Sequence, residues 1–174
     1  MGCAPCPDIE GYFFDINGLV IYNLERNSSN SAYGIEEGST LKFEDHLFSI
    51  SYSATYYSEN SIGSFNMISS AFATSCDYDG QGGTKELLDT MIVKTNFDID
   101  DDHLTGQPIN DILRFNGIIL TNYLEQDTIE ILDQEFTLAL TKKPTLDNSL
   151  SIDVFLRLKN GEEYKATSET VFIE

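Results

Sequence analysis

The run Ile152-Asp153-Val154-Phe155-Leu156-Arg157-Leu158 alternates along its length and breaks shortly afterwards at Asn160-Gly161. Asn-Gly is the dipeptide that tolerates positive φ at both centres of a tight hairpin turn, and the chain resumes a strand-like run after it. A β-hairpin is therefore expected here. Period two puts Ile152, Val154, Leu156 and Leu158 on the inward face and Asp153, Phe155, Arg157 and Lys159 on the other. The same pattern recurs upstream. Residues 46–57 place Phe48, Ile50 and Tyr52 on one face of a strand, residues 87–96 centre on Met91, Ile92 and Val93, and residues 135–141 read as another strand. Residues 64–74 continue the pattern. Residues 11–22 break at Asn17-Gly18, which predicts a hairpin or two strands meeting at a bend. Residues 27–38 read as an exposed loop, and the three glycines within residues 77–84 make that segment a loop as well. Helix signals are few: a turn over 111–115, and a short helix over 122–132 with Leu124, Thr128 and Ile131 at compatible spacing. Seven or more short strands without alternating long helices predict an all-β protein, an antiparallel β-sandwich with one or two short helical turns.

Of the 174 residues, 29 are Asp or Glu and 10 are Lys or Arg, a formal net charge of −19. Such a surface repels phosphate backbones and anionic headgroups, so nucleic acid is excluded as a partner class. With 41% hydrophobic residues, the chain has enough apolar material for a sizeable core. No run reaches the roughly 18 apolar residues that span a bilayer. Membrane contact is expected only through a lipid anchor.

That anchor is suggested by Gly2-Cys3, a small residue followed by cysteine, as at the processing point of bacterial lipoproteins. On this reading residues 1–10 form a tether left by removal of a signal peptide, and residues 11–174 form one β-sandwich domain. A redox role for Cys3-x-x-Cys6 is disfavoured because Pro5 and Pro7 forbid the helix such a site needs. Zinc would need four good ligands, and beyond the cysteines there are only His46 and His103. The expectation is that Cys3 accepts the lipid while Cys6 pairs with Cys76. Closing a loop of about 70 residues in this way would stabilise by on the order of 4 kcal/mol.

Asp98, Asp100 and Asp102 alternate directly after a strand. A hard cation would relieve their repulsion, and calcium is the ion that takes oxygen ligands from such loops. The loop is not an EF-hand: counted from Asp98 its sixth residue is His103 and its twelfth Ile109, and counted from Asp77 the twelfth is Leu88. A solvated acidic face is the competing reading. No G-x-S-x-G elbow is present. His46, beside Asp45, reads as a surface or edge residue, and His103 as a cation stabilised by its aspartates. Among so many acids no pair stands out as a glycosidase dyad. Tryptophan is absent, so a sugar platform would rest on tyrosine. Tyr52, Tyr56 and Tyr57 near one strand, with Tyr78 in the glycine-rich loop, are the candidates, and Tyr56, Tyr57 and Tyr78 form the ligand-binding set.

Several stretches carry a wider likeness: CAPCP at the start, GYFF in the first strand, TSCDYDG, IVKTNFDID and HLTG within residues 73–106, then FTLALTKKP and DVFLRLKNGEEY. In this layout the chain resembles a family of secreted Bacteroidetes lipoproteins built on a domain of unknown function. The resemblance implies an immunoglobulin-like sandwich tethered by lipid on Cys3, and it implies no activity. The expected function is a non-enzymatic domain of the cell envelope, in the periplasm or on the outer surface, that binds an extracellular or periplasmic protein or glycan. The alternative is a carbohydrate-binding or carbohydrate-active accessory protein stabilised by calcium.

Overall fold

The structure, a computed structural model, describes residues 9–29, 31–58 and 78–174. Its elements in order are β1 (Phe13–Arg26), β2 (Ala32–Gly34), β3 (Thr40–Leu41), β4 (His46–Tyr57), β5 (Leu87–Thr95), β6 (Leu113–Phe115), β7 (Ile118–Ile119) and α1 (Leu120–Leu124). They are followed by β8 (Ile129–Glu130), β9 (Glu135–Leu140), β10 (Ser149–Leu150), β11 (Ile152–Leu158), β12 (Glu163–Thr167) and β13 (Val171–Ile173). A six-stranded sheet in the order β2-β1-β4-β9-β6-β7 and a four-stranded sheet in the order β12-β11-β5-β8 form the two layers. A small sheet, β10-β13-β3, contains a parallel pair, β13 with β3; the other described pairs are antiparallel. The protein is an all-β sandwich.

The core follows from strand periodicity. Ile152, Val154, Leu156 and Leu158 are buried as their spacing predicts, and they join Phe14, Ile21, Phe48, Ile50 and Leu138 in one apolar cluster. The predicted Asn160-Gly161 hairpin joins β11 to β12, with Gly161 at φ 94°. Tyr164 ties the layers together, its hydroxyl donating to the Ile16 carbonyl at 2.6 Å.

Three local expectations are corrected. Asn17-Gly18 does not turn the chain; β1 runs through it as one strand, with Ile16 opposite Ala54 and Gly18 opposite Ser53, so that Asn17 is bulged out. The apolar phase explains this. Phe14 and Ile16 are out of step by one residue with Leu19 and Ile21, and the bulge returns all four to the inner face against β4. The helix expected over 122–132 is confined to Leu120–Leu124, because Ile129 and Ile131 are buried at period two and Ile129 pairs with Leu88. The turn expected over 111–115 is a 3-10 turn at Asn110–Ile112 that passes at once into β6. There the Asn110 side chain substitutes for a neighbouring strand: its Oδ1 accepts from Val93 N at 2.8 Å and its Nδ2 donates to Met91 O at 2.9 Å. The loop over 27–38 is exposed as expected and carries the three residues of β2.

The glycine-rich segment lies along the start of β1. Gly80 N donates to Gly11 O, Gly82 N to Tyr12 O and Phe14 N to Gly83 O. Cys3, Cys6 and Cys76, with the lipid and disulfide expected of them, lie outside the described residues, as does the strand expected over 64–74.

Candidate functional site

At one end of the sandwich the closing elements are short: β8 pairs with β5 over two residues, and α1 has five. A cavity of about 240 Å³ opens there between the layers. Four aromatic rings wall it, Tyr52 from β4, Phe115 from β6, Tyr123 from α1 and Phe136 from β9, and Leu88, Met91, Leu120 and Ile129 supply aliphatic surface. Exposed Asn116, Glu130, Leu132 and Asp133 form the rim.

The chain builds this wall by a tight turn. Asn116 and Gly117 take φ 47° and 84°, the left-handed pair a two-residue hairpin needs, and so fold β6 back onto β7 with Phe115 opposite Ile118. The chain then enters α1 directly, which sets Tyr123 edge-on to Phe115 at 4.6 Å between ring centroids. Phe115 packs on Phe136 at 5.6 Å, and Phe136 on Tyr52 at 6.0 Å. Burial pushes the Tyr52 phenol far above its ordinary range, with Tyr123 adding to the effect, and burial also raises Tyr123. Both stay protonated at any physiological pH. Neither hydroxyl has a hydrogen-bond partner among the described residues, and the small accessible part of Tyr52, 6% of the residue, includes its hydroxyl.

Elsewhere the protein's own donors take up the groups that suggested chemistry. Asp98 accepts from Thr105 N at 2.7 Å and Thr105 Oγ1 at 2.8 Å, bonds that hold its carboxyl below the usual range. Asp100 is buried and pairs with Lys142 Nζ at 2.7 Å, while its Oδ1 accepts from Asp102 N, His103 N and His103 Nδ1. The Lys142 ammonium, more than offsetting burial, holds Asp100 well below the carboxylate range, and His103 adds to this. Asp102 points to solvent as an exposed residue. The three aspartates thus do not converge, and no group of three or more His, Cys, Asp or Glu among the described residues is placed to hold a metal ion.

His103 bridges Asp100 and Asp111, with Nε2 3.1 Å from Asp111 Oδ2. Burial works to lower its pKa, but the two carboxylates outweigh it and the pKa is raised, so the charged form of the ring is favoured there. His46 departs from expectation. It is 3% exposed rather than at the surface, because it is the first inward residue of β4, and burial lowers its pKa to about 4.

No protein-family model matches this chain, and neither does any curated protein or solved structure.

The tyrosines proposed from sequence do not share a surface. Tyr56 faces inward and donates to Gln134 Oε1 at 2.9 Å, whereas Tyr57 lies on the opposite face of β4, stacked on Phe13 at 5.8 Å. Tyr78 is exposed in its loop. Tyr12 and Phe13 are the residues that join Tyr57, with Lys85 Nζ 4.7 Å above the Phe13 ring. The cavity residues Phe115, Tyr123 and Phe136 were missed altogether. Their one local signal is Asn116-Gly117, the same dipeptide that marks the β11–β12 hairpin.

Proposed function

We propose that this protein is a non-enzymatic binding domain of the cell envelope, anchored by lipid on Cys3, that takes a ring-sized apolar group of an extracellular or periplasmic ligand into the end cavity. The observation that carries this reading is the aromatic-walled cavity itself. Small-molecule sites are concave and mostly apolar with a few polar groups that orient the ligand, and this lining of aromatic and aliphatic side chains with a polar rim has that form. Dry apolar cavities of about 150 Å³ already admit benzene, so 240 Å³ accommodates one ring with a substituent. Both imidazoles are engaged in structural contacts, which favours binding over general-base chemistry.

A titration of the ¹⁵N-labelled chain with millimolar indole tests this. Amide shifts are expected to concentrate at Leu88, Leu120, Tyr123 and Ile131. The rim substitution Leu132→Trp, at a residue 56% exposed, should weaken binding roughly tenfold while leaving the melting temperature unchanged. Absence of saturable shifts at those positions rejects the reading. Galactose shifting Tyr12, Phe13 and Tyr57 in place of the cavity would favour the carbohydrate alternative, whose support is the ring cluster those three form.

A further inference from the structure

We infer that the cavity is made for an uncharged ring bearing a hydrogen-bond acceptor at its inner end, received by the Tyr52 hydroxyl with Tyr123 beside it. This deepens the binding reading above and rests on it. A phenol O–H with no protein acceptor depends for its hydrogen bond on whatever occupies the space beside it. Tyr52 is 94% buried by the 6% exposure of the whole residue, lines the cavity, and has no protein acceptor among the described residues. Its hydroxyl reaches solvent through the cavity it lines, so an acceptor on a bound ring would take the place of water there.

A buried water is held by two to four polar partners. Among the lining residues the phenols of Tyr52 and half-buried Tyr123 supply hydroxyl groups, beside Met91, Leu120 and Phe136. Both phenols stay protonated, so each can act as a donor. A carbonyl, ether or ring nitrogen accepts from them and presents carbon to the rest of the wall.

The charge of the ligand follows from the rim. Among the described residues no Lys, Arg or His lines the cavity, Glu130 and Asp133 stand at its mouth, and the chain carries −19. An anionic ring would meet like charge at the entrance and find no counter-ion inside.

Four probes of one size separate these statements: acetophenone, ethylbenzene, benzoate and benzylamine, each titrated against the full chain by NMR. Acetophenone is expected to bind roughly fivefold or more tightly than ethylbenzene, the worth of one neutral hydrogen bond. Benzoate and benzylamine, which bring a charge into an apolar wall, should both bind more weakly than acetophenone. Tyr52→Phe keeps the ring and deletes the hydroxyl, so it should bring acetophenone down to the level of ethylbenzene and leave ethylbenzene unchanged. Tyr123→Phe should reduce the same ratio by a smaller factor. Equal binding of acetophenone and ethylbenzene to the native chain, or a ratio untouched by Tyr52→Phe, overturns this inference while the ring-binding reading stands. Benzoate or benzylamine matching acetophenone overturns the claim of an uncharged ligand. Binding of none of the four overturns both.

Discussion

The two histidines show how burial and partners set opposite chemistries on one residue type. His46 is enclosed, its ring edge-on to Phe48 at 4.5 Å, and its Nε2 lies 3.0 Å from Asn23 Oδ1. Asn23 Nδ2 donates to the Glu169 carbonyl at 2.9 Å, which orients the amide and leaves Oδ1 as acceptor. The His46 proton therefore sits on Nε2 of a neutral ring. Its folded pKa, about 4, lies below the unfolded value near 6.5, so between these values the unfolded chain binds the extra proton. Stability from His46 is complete above pH 6.5 and falls as the pH drops towards 4, by on the order of 3 kcal/mol. His103 behaves in the opposite sense. Its raised pKa gives stability that is complete below about 6.5 and is lost as the pH rises through the folded value. Imidazole NMR should find one midpoint near 4 and one above 6.5. Urea titrations from pH 7 to 4 should show a loss in the native chain that His46→Gln lacks; parallel pH profiles would contradict the assignment.

At the scale of elements, identical dipeptides meet different fates. Asn116-Gly117 and Asn160-Gly161 turn hairpins, with both glycines at positive φ, whereas Asn17-Gly18 becomes a bulge because β1 gains a long ladder with β4 by running straight. Turn propensity is worth tenths of a kcal/mol to about one, less than a ladder that also buries Phe14, Ile16, Leu19 and Ile21. The glycine-rich segment is held more tightly than a surface loop. A Cβ on Gly83, at φ 74°, would lie 2.6 Å from the Ile131 carbonyl and 2.9 Å from Leu132 Cα, while one on Gly161, at φ 94°, would meet nothing within 4 Å. Gly161→Ala is thus expected to cost about 1 kcal/mol, the backbone penalty alone. Gly83→Ala adds a backbone clash at the cavity wall and should cost at least about twice as much. Chemical denaturation of the two variants checks the ranking, and equal losses would refute the packing argument.

For the whole molecule, charge of −19 and an aspartate loop whose Asp98 and Asp100 are already engaged by the protein's own donors lead to a specific expectation. Screening relieves self-repulsion, so sodium chloride should raise the melting temperature. A true calcium site filled to a hundred times its dissociation constant would add about 2.7 kcal/mol, roughly 5–11 °C at this chain length. Because Asp98 and Asp100 already hold Thr105, His103 and Lys142, calcium and magnesium at equal ionic strength should agree to within roughly 2 °C. A larger shift with calcium alone would restore a metal site to the loop.

The all-β class, the inward set of β11, its hairpin with β12 and the carboxylate surroundings that raise the His103 pKa were all legible in the chain. Each depends on residues near one another in sequence, where a period of two, a turn-favouring Asn-Gly or a carboxylate three positions away acts directly. Tyr52 was legible as an inward residue, but nothing near it says that its hydroxyl would lack a partner. The bulge at Asn17, the burial of His46, the pairing of Asp100 with Lys142 and the cavity assembled from Tyr52, Phe115, Tyr123 and Phe136 were decided by tertiary structure alone. Their energies come from contacts between distant strands, and the order in which strands pair is not written in the periodicity of any one of them.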